Sequence, residues 1–204
     1  MIHVYAIVED PSGVRAVTRE CDAAPEATPG AVWDHERVVE ELMERHAVLP
    51  ARFGTTFADR AELDACLERH RDELIEGLER VRNCVELGVR VMAEEANAVK
   101  VEAHASGRDY MMALAAAETR VGELHEQVNV PLAELAREAV VRPVRGREVL
   151  MSGAYLVERD RVQEFRDRVR ELSDAHGDAQ ILCTGPWAAY NFVPRLDISA
   201  KGEL

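Results

Sequence analysis

Apolar residues in this chain follow two different periods that alternate along its length, a pattern that calls for helices laid against sheets. Residues 4–8 and 14–18 are β-rich runs on either side of Asp10-Pro11-Ser12-Gly13. Pro sets φ early in that turn and Gly supplies a permissive last position, so the segment predicts a β-hairpin. Residues 21–30 carry two prolines among alanines and acids and read as an exposed connection. From Trp33 onward Val38, Val39, Leu42 and Met43 step at helical spacing, with Asp34 placed to cap, or to favour the positive amino end of, a helix that runs to about His46. Residues 48–57 read as a strand with a bend at Gly54, Pro50 being acceptable near a strand edge or start. Asp59 is placed to cap a second helix, with Leu63, Leu67, Leu74 and Leu78 on one face as far as about Arg82. Val85, Leu87, Val89 and Val91 then alternate along 84–92, the period of a half-buried strand. The order is ββαβαβ.

The second half repeats the mixture in a different order. Residues 96–107 are weakly patterned and end in Ser106-Gly107, which places a linker there between a domain over 1–95 and another over 108–193. Leu114, Ala117, Val121, Leu124, Val128, Leu132, Leu135 and Ala139 step by three or four, predicting a long helix that kinks or restarts at Pro131, with Asn129 as a cap. A basic loop over 142–147 leads to a strand at 149–157. A helix with Val162, Phe165, Val169 and Leu172 as its stripe follows, ended by His176-Gly177-Asp178. Residues 179–184 make another strand, and the polar tail 194–204 is short enough to fray.

With 204 residues and 47% apolar content, the chain can fill real cores. Its 25 basic against 38 acidic residues leave a net charge of -13, which repels nucleic-acid backbones and anionic membrane surfaces and favours a well-solvated surface. Cys21, Cys66, Cys84 and Cys183 stand far apart without a C-x-x-C pair, so they read as buried thiols. The first residues lack a basic flank and run into Glu9-Asp10, unlike a signal peptide, which points to the cytosol. The longest apolar run, 111–117, is far short of the roughly 20 residues that cross a bilayer.

Titratable residues are plentiful but poorly placed for chemistry. His35 and His46 stand eleven apart, about 16 Å along a helix, too far to share a zinc that each ligand must approach to about 2 Å. His125-Glu126 lacks the second histidine of H-E-x-x-H. Nucleophile elbows and phosphate-binding loops are missing, and Gly54, Gly88 and Gly122 read as bends or close packing. The neighbours Glu40-Glu41 and Glu94-Glu95 point in different directions. No catalytic, cofactor or metal residue is therefore predicted. Aromatic residues are scarce, yet Trp187, Tyr190 and Phe192 crowd behind Gly185-Pro186. They read as a core strand or hairpin of the second domain, as an exposed anchor patch for a partner, or as both.

Five ordered segments resemble the gas vesicle accessory proteins of the GvpF/GvpL type. They are His35 with Val38-Val39-Glu40 followed by Val48-Leu49-Pro50-Ala51-Arg52-Phe53-Gly54-Thr55-Thr56-Phe57; Glu86-Leu87-Gly88-Val89-Arg90-Val91; Ser106-Gly107-Arg108-Asp109-Tyr110; Ala154-Tyr155-Leu156-Val157; and Gly185-Pro186-Trp187 to Val193. Two departures stand out: Ala188-Ala189 replaces the two prolines common after Gly-Pro-Trp, and the first hairpin is short. The resemblance implies an α+β fold of two small domains, a ferredoxin-like N-terminal one and a modified ferredoxin-like C-terminal one joined through long helices. It also implies a non-enzymatic role in assembling gas vesicles, with the shell protein GvpA and other accessory proteins as partners. Trp187, Tyr190 and Phe192, with Leu49, Arg52 and Phe53 second, are then the candidate contact residues. The competing expectation is a ferredoxin-like pair that binds a small ligand or acts as an enzyme.

Overall fold

The computed structural model describes residues 1–11, 13–93, 107, 108, 111, 112, 119, 122, 123, 125–143, 149–177 and 179–194. They divide into two compact units, Met1–Val85 joined by the chain that returns from Trp187, and Glu86–Pro186.

In the first unit β1 (Ile2–Asp10) and β2 (Gly13–Glu20) form the predicted hairpin, paired from Ile2 with Glu20 to Asp10 with Gly13. Gly13 sits at φ 125, a region L side chains avoid. Helix α1 (Pro29–Met43) starts ahead of the predicted Asp34 cap. Thr28 caps it, its hydroxyl accepting from the Ala31 N–H at 3.2 Å, and Pro29 occupies the first turn, where a missing N–H costs nothing. A proline read as a breaker is thus a start signal.

Strands β3 (Val48–Pro50) and β4 (Thr56–Phe57) both pair antiparallel with β1, and the turn between them holds Gly54 at φ 87. The sheet runs β2-β1-β3 with β4 also beside β1. Cross-strand partners share a face, so Val8 with Val48 and Ala6 with Pro50 look one way, while Ile7 with Leu49 look the other. The first face packs on Val39 of α1. On the second, Leu49 lies against Gly77 of α3 (Arg71–Val81). Helices therefore cover both faces, which is why β1 is buried almost continuously rather than at alternate residues.

The helix predicted as one piece up to Arg82 is two, α2 (Arg60–Arg69) and α3, broken at His70. The step from Leu67 to Leu74 leaves a turn with no large apolar residue to hold it down. Asp59 caps α2 as predicted, its Oδ1 accepting from the Glu62 N–H at 2.9 Å, while Glu62 reaches back to the Ala58 N–H at 2.7 Å. Asp59→Ala is expected to cost about 1 kcal/mol, read as a lower urea midpoint at unchanged slope.

The second unit runs β5 (Cys84–Ala93), a segment whose described residues between 107 and 123 are all helical, a π-helical turn His125–Asn129, α4 (Val130–Ala133), β6 (Glu138–Pro143), β7 (Val149–Glu158), α5 (Val162–Ala175) and β8 (Ala179–Trp187). Its sheet has the order β6-β7-β5-β8, the β-α-β-β-α-β arrangement of a ferredoxin-like layer. Leu87, Val89 and Val91 point from β5 into a core with Met151, Tyr155, Val157, Ile181, Phe165, Val169 and Leu172, as the alternation predicts. Together the two sheets make an α+β protein with helices packed on each.

Two predictions for this unit fail. The long helix does not reach Ala139: the wide turn before Pro131 absorbs a residue without an N–H, and the helix stops at Ala133. β-Branched Val140 and Val141 then join an edge strand paired with β7 from Glu138 opposite Leu156 to Pro143 opposite Met151. Arg142 and Pro143 therefore belong to β6 rather than to a basic loop, and 144–148 lie outside the described residues. The sequence reading drew the domain boundary after 95 and kept 108–193 together. In the structure the units divide at Val85, and the chain from Trp187 belongs with the first unit. Most of the predicted linker 96–107 and the tail beyond Pro194 lie outside the described residues. Cys66 and Cys84 are buried, whereas Cys21 and Cys183 are half-exposed; all four are free thiols. No helix of the described residues is long and apolar enough to cross a membrane.

Candidate functional site

The two segments that stand out in the sequence, 48–57 and 187–193, meet in the first unit. After β8, Ala188 and Ala189 are each only 4% exposed. Ala188 fills the core with Ala6, Val8, Val39 and Val48. A short 3-10 turn, Tyr190–Phe192, follows, its Phe192 N–H bonded to the Ala189 carbonyl at 3.1 Å. The Tyr190 hydroxyl donates to Glu36 Oε1 of α1 at 2.9 Å. Pro194 then reaches the other face of the sheet, where a methyl added to Gly77 would come within 3.0 Å of Pro194 and 3.2 Å of Leu49. The returning chain is a strap from the α1 side of the sheet to the α3 side. Small residues at 188 and 189 suit that close approach, which gives the alanine departure a packing role.

The six candidate contact residues divide by exposure. Leu49 and Phe192 are buried, at 1% and 2%. Phe53 and Tyr190 are half-buried, and Arg52 and Trp187 face solvent, Trp187 at 47%. Arg52 also builds the β3–β4 turn, its carbonyl accepting from the Thr55 N–H and hydroxyl at 3.1 and 2.7 Å.

Sequence reasoning missed the histidine pair behind this turn. His35 Nε2 lies 2.9 Å from the Ala51 carbonyl, and His35 Nδ1 lies 3.0 Å from His3 Nε2. A carbonyl only accepts, so His35 carries its proton on Nε2, its Nδ1 accepts, and His3 donates from Nε2. Tyr5 and Phe53 enclose the pair, with ring centroids 4.8–5.8 Å apart. Burial, then the charges of His35 and Arg19, hold the His3 pKa below its ordinary 6.5. His46, the other histidine weighed with His35, is exposed. His35 falls in phase with Val39, so its burial was readable, but His3 is too distant in sequence to announce itself as the partner.

In the second unit the Tyr155 hydroxyl donates to Asn129 Oδ1 at 3.0 Å, and burial raises its pKa. Beside α3, Glu73, Glu76, Arg80 and Pro194 line an open groove of about 330 Å³. Three of its four lining residues carry charge and it lies open to solvent, unlike the enclosed clefts that hold small molecules. Among the described residues no three histidines, cysteines or carboxylates converge as metal ligands.

Known proteins share this architecture. The structure of GvpF from Anabaena superposes with a TM-score of 0.80 over 94% of this chain and 95% of its own, at 17% identity, which bears on the fold alone. Gas vesicle protein F2 of Halobacterium salinarum is 30% identical over 172 residues, covering 83% of this chain and 70% of its own length. Gas vesicle protein L of a Streptomyces species is 34% identical over 180 residues, covering 78% and 66%. The family model described as gas vesicle synthesis protein GvpL/GvpF matches residues 2–194, through both units and the strap. These relatives are gas vesicle proteins rather than members of a known enzyme family. The chain belongs to the GvpL/GvpF family of gas vesicle synthesis proteins.

Proposed function

We propose that this protein is a non-enzymatic accessory factor of gas vesicle assembly that works in the cytoplasm and at the vesicle, binding the hydrophobic shell protein GvpA and other gas vesicle proteins. The match to the family over residues 2–194 carries the reading. The chemistry of the chain supports it: a net charge of -13 suits a carrier that keeps an apolar client dispersed, and an exposed Trp187 suits an anchor on that client. Trp187 and Arg52 are the contact residues proposed, with Tyr190 and Phe53 at their margins. Leu49 and Phe192 hold the surface in place from beneath.

Tagged protein co-expressed with the shell protein is expected to retain it under gentle lysis. Trp187→Ala is expected to reduce that retention while the melting temperature stays put, whereas Phe192→Ala lowers the melting temperature first. Failure of the unaltered protein to retain the shell protein or any other vesicle component removes the binding role.

A further inference from the structure

Both tryptophans of this chain are exposed, Trp187 at 47% and Trp33 at 75%. Tryptophan is highly buried on average, so two on one unit call for a reason. Trp33 stands on α1 three residues before Glu36, and residues so spaced are neighbours on a helix surface, about 5–6 Å apart at Cβ. Trp187 stands three residues before Tyr190, a span of at most about 11 Å. The Tyr190–Glu36 hydrogen bond joins the segment that carries Trp187 to the helix that carries Trp33, so the two tryptophans flank one tie within the first unit.

The flank of this point is acidic. From Trp33 the stripe continues along α1 through Arg37, Glu40 and Glu44, all exposed. Arg37 is taken up by Asp34 and Glu41 at 3.8 and 3.1 Å. Glu40 and Glu44 have no ion pair among the described residues. Two apolar anchors beside unneutralised carboxylates fit one kind of occupant.

We propose that Trp33 and Trp187, with Glu40 and Glu44, form a docking surface for a partner-protein helix that carries an apolar stripe flanked by Lys or Arg. The indoles cover the stripe and the carboxylates meet the basic flank. A second copy of this chain is a poor occupant, since it would bring the same carboxylates and the same net charge of -13 to the contact. The proposal rests on the binding role given above and extends it from the strap to α1.

The test uses the full chain, co-expressed with the shell protein as the probe. Trp33→Ala and Trp33→Lys are each expected to lower retained shell protein at least about tenfold, as is Trp187→Ala, with melting temperatures kept. Glu40→Lys with Glu44→Lys is expected to do the same, and added salt to weaken retention by the unaltered chain. If the unaltered chain retains the shell protein and the Trp33 variants retain it equally, the docking surface is wrong and the binding role stands. Loss of melting temperature in both Trp33 variants makes Trp33 structural and overturns the surface. Sedimentation showing self-association that depends on Trp33 assigns the surface to a second copy and overturns the choice of partner. If the unaltered chain retains nothing, both readings fall.

Discussion

Phe165→Ala is expected to destabilise the second unit by about 4 kcal/mol, the largest effect of any single truncation considered for this protein. Phe165 is fully buried on α5, and its ring lies 5.3 Å from that of Tyr155, tilted by 55°. The same core holds Leu87 and Val89 of β5, Val157 of β7 and Val169 one turn along α5. Deleting the ring therefore removes burial and leaves a hole bounded by strands that cannot close on it, because their spacing is fixed by the sheet. The consequence spreads to Tyr155, whose hydroxyl ties β7 to Asn129 ahead of α4. Trp33 belongs to the first unit and Trp187 is the last residue of β8, outside the core that holds Phe165, so tryptophan fluorescence does not report this core directly. Urea unfolding followed by far-UV circular dichroism does, and the phase assigned to the second unit should move to lower urea. A shift worth under about 1 kcal/mol would mean that Phe165 is not the centre of this core.

What the sequence disclosed about the fold follows from the range over which each signal acts. Alternation at Val85, Leu87, Val89 and Val91 and the helical stripe of Val162, Phe165, Val169 and Leu172 are local, and both elements form where those patterns lie. The errors sit where a local signal has two readings. Pro29 breaks a chain or starts a helix, and the hydroxyl of Thr28 decides for the second. Ala139 continues a helical step, but Val140 and Val141 beside a waiting β7 make a strand. The site was legible in its pieces and not in its assembly. Ala188 packs with Ala6, and Tyr190 bonds Glu36 across 154 residues of chain, so nothing beside the aromatic cluster shows that it returns to the first unit. Trp33 was readable: it stands six residues before Val39, about 240° round the helix, and so faces away from the core.

His35→Ala is expected to cost the first unit about 3 kcal/mol, and mild acid is expected to weaken the same place in the unaltered chain. The substitution removes a side chain that is 1% exposed and deprives two polar groups, the Ala51 carbonyl and His3 Nε2, of their partner. His35→Phe keeps the volume and is expected to recover only part of the loss, since neither hydrogen bond returns. The acid effect has a definite sign. His3 in the unfolded chain takes up its proton near pH 6.5, but in the folded chain its pKa is lowered, first by burial and then by the charges of His35 and of Arg19, its partner across the hairpin. Between those two pKa values the unfolded state binds the extra proton, so stability is fully present above about 6.5 and is lost as the pH falls through that window. Geometry shapes the loss. A charged His3 still donates to His35 Nδ1, but its charge then sits in a pocket closed by Tyr5 and Phe53. Melting temperatures of the full chain at pH 7.5 and 5.5 measure it: the drop should be larger for the unaltered chain than for His3→Gln, which keeps a donor and cannot titrate. Equal drops in the two proteins would place the acid sensitivity elsewhere.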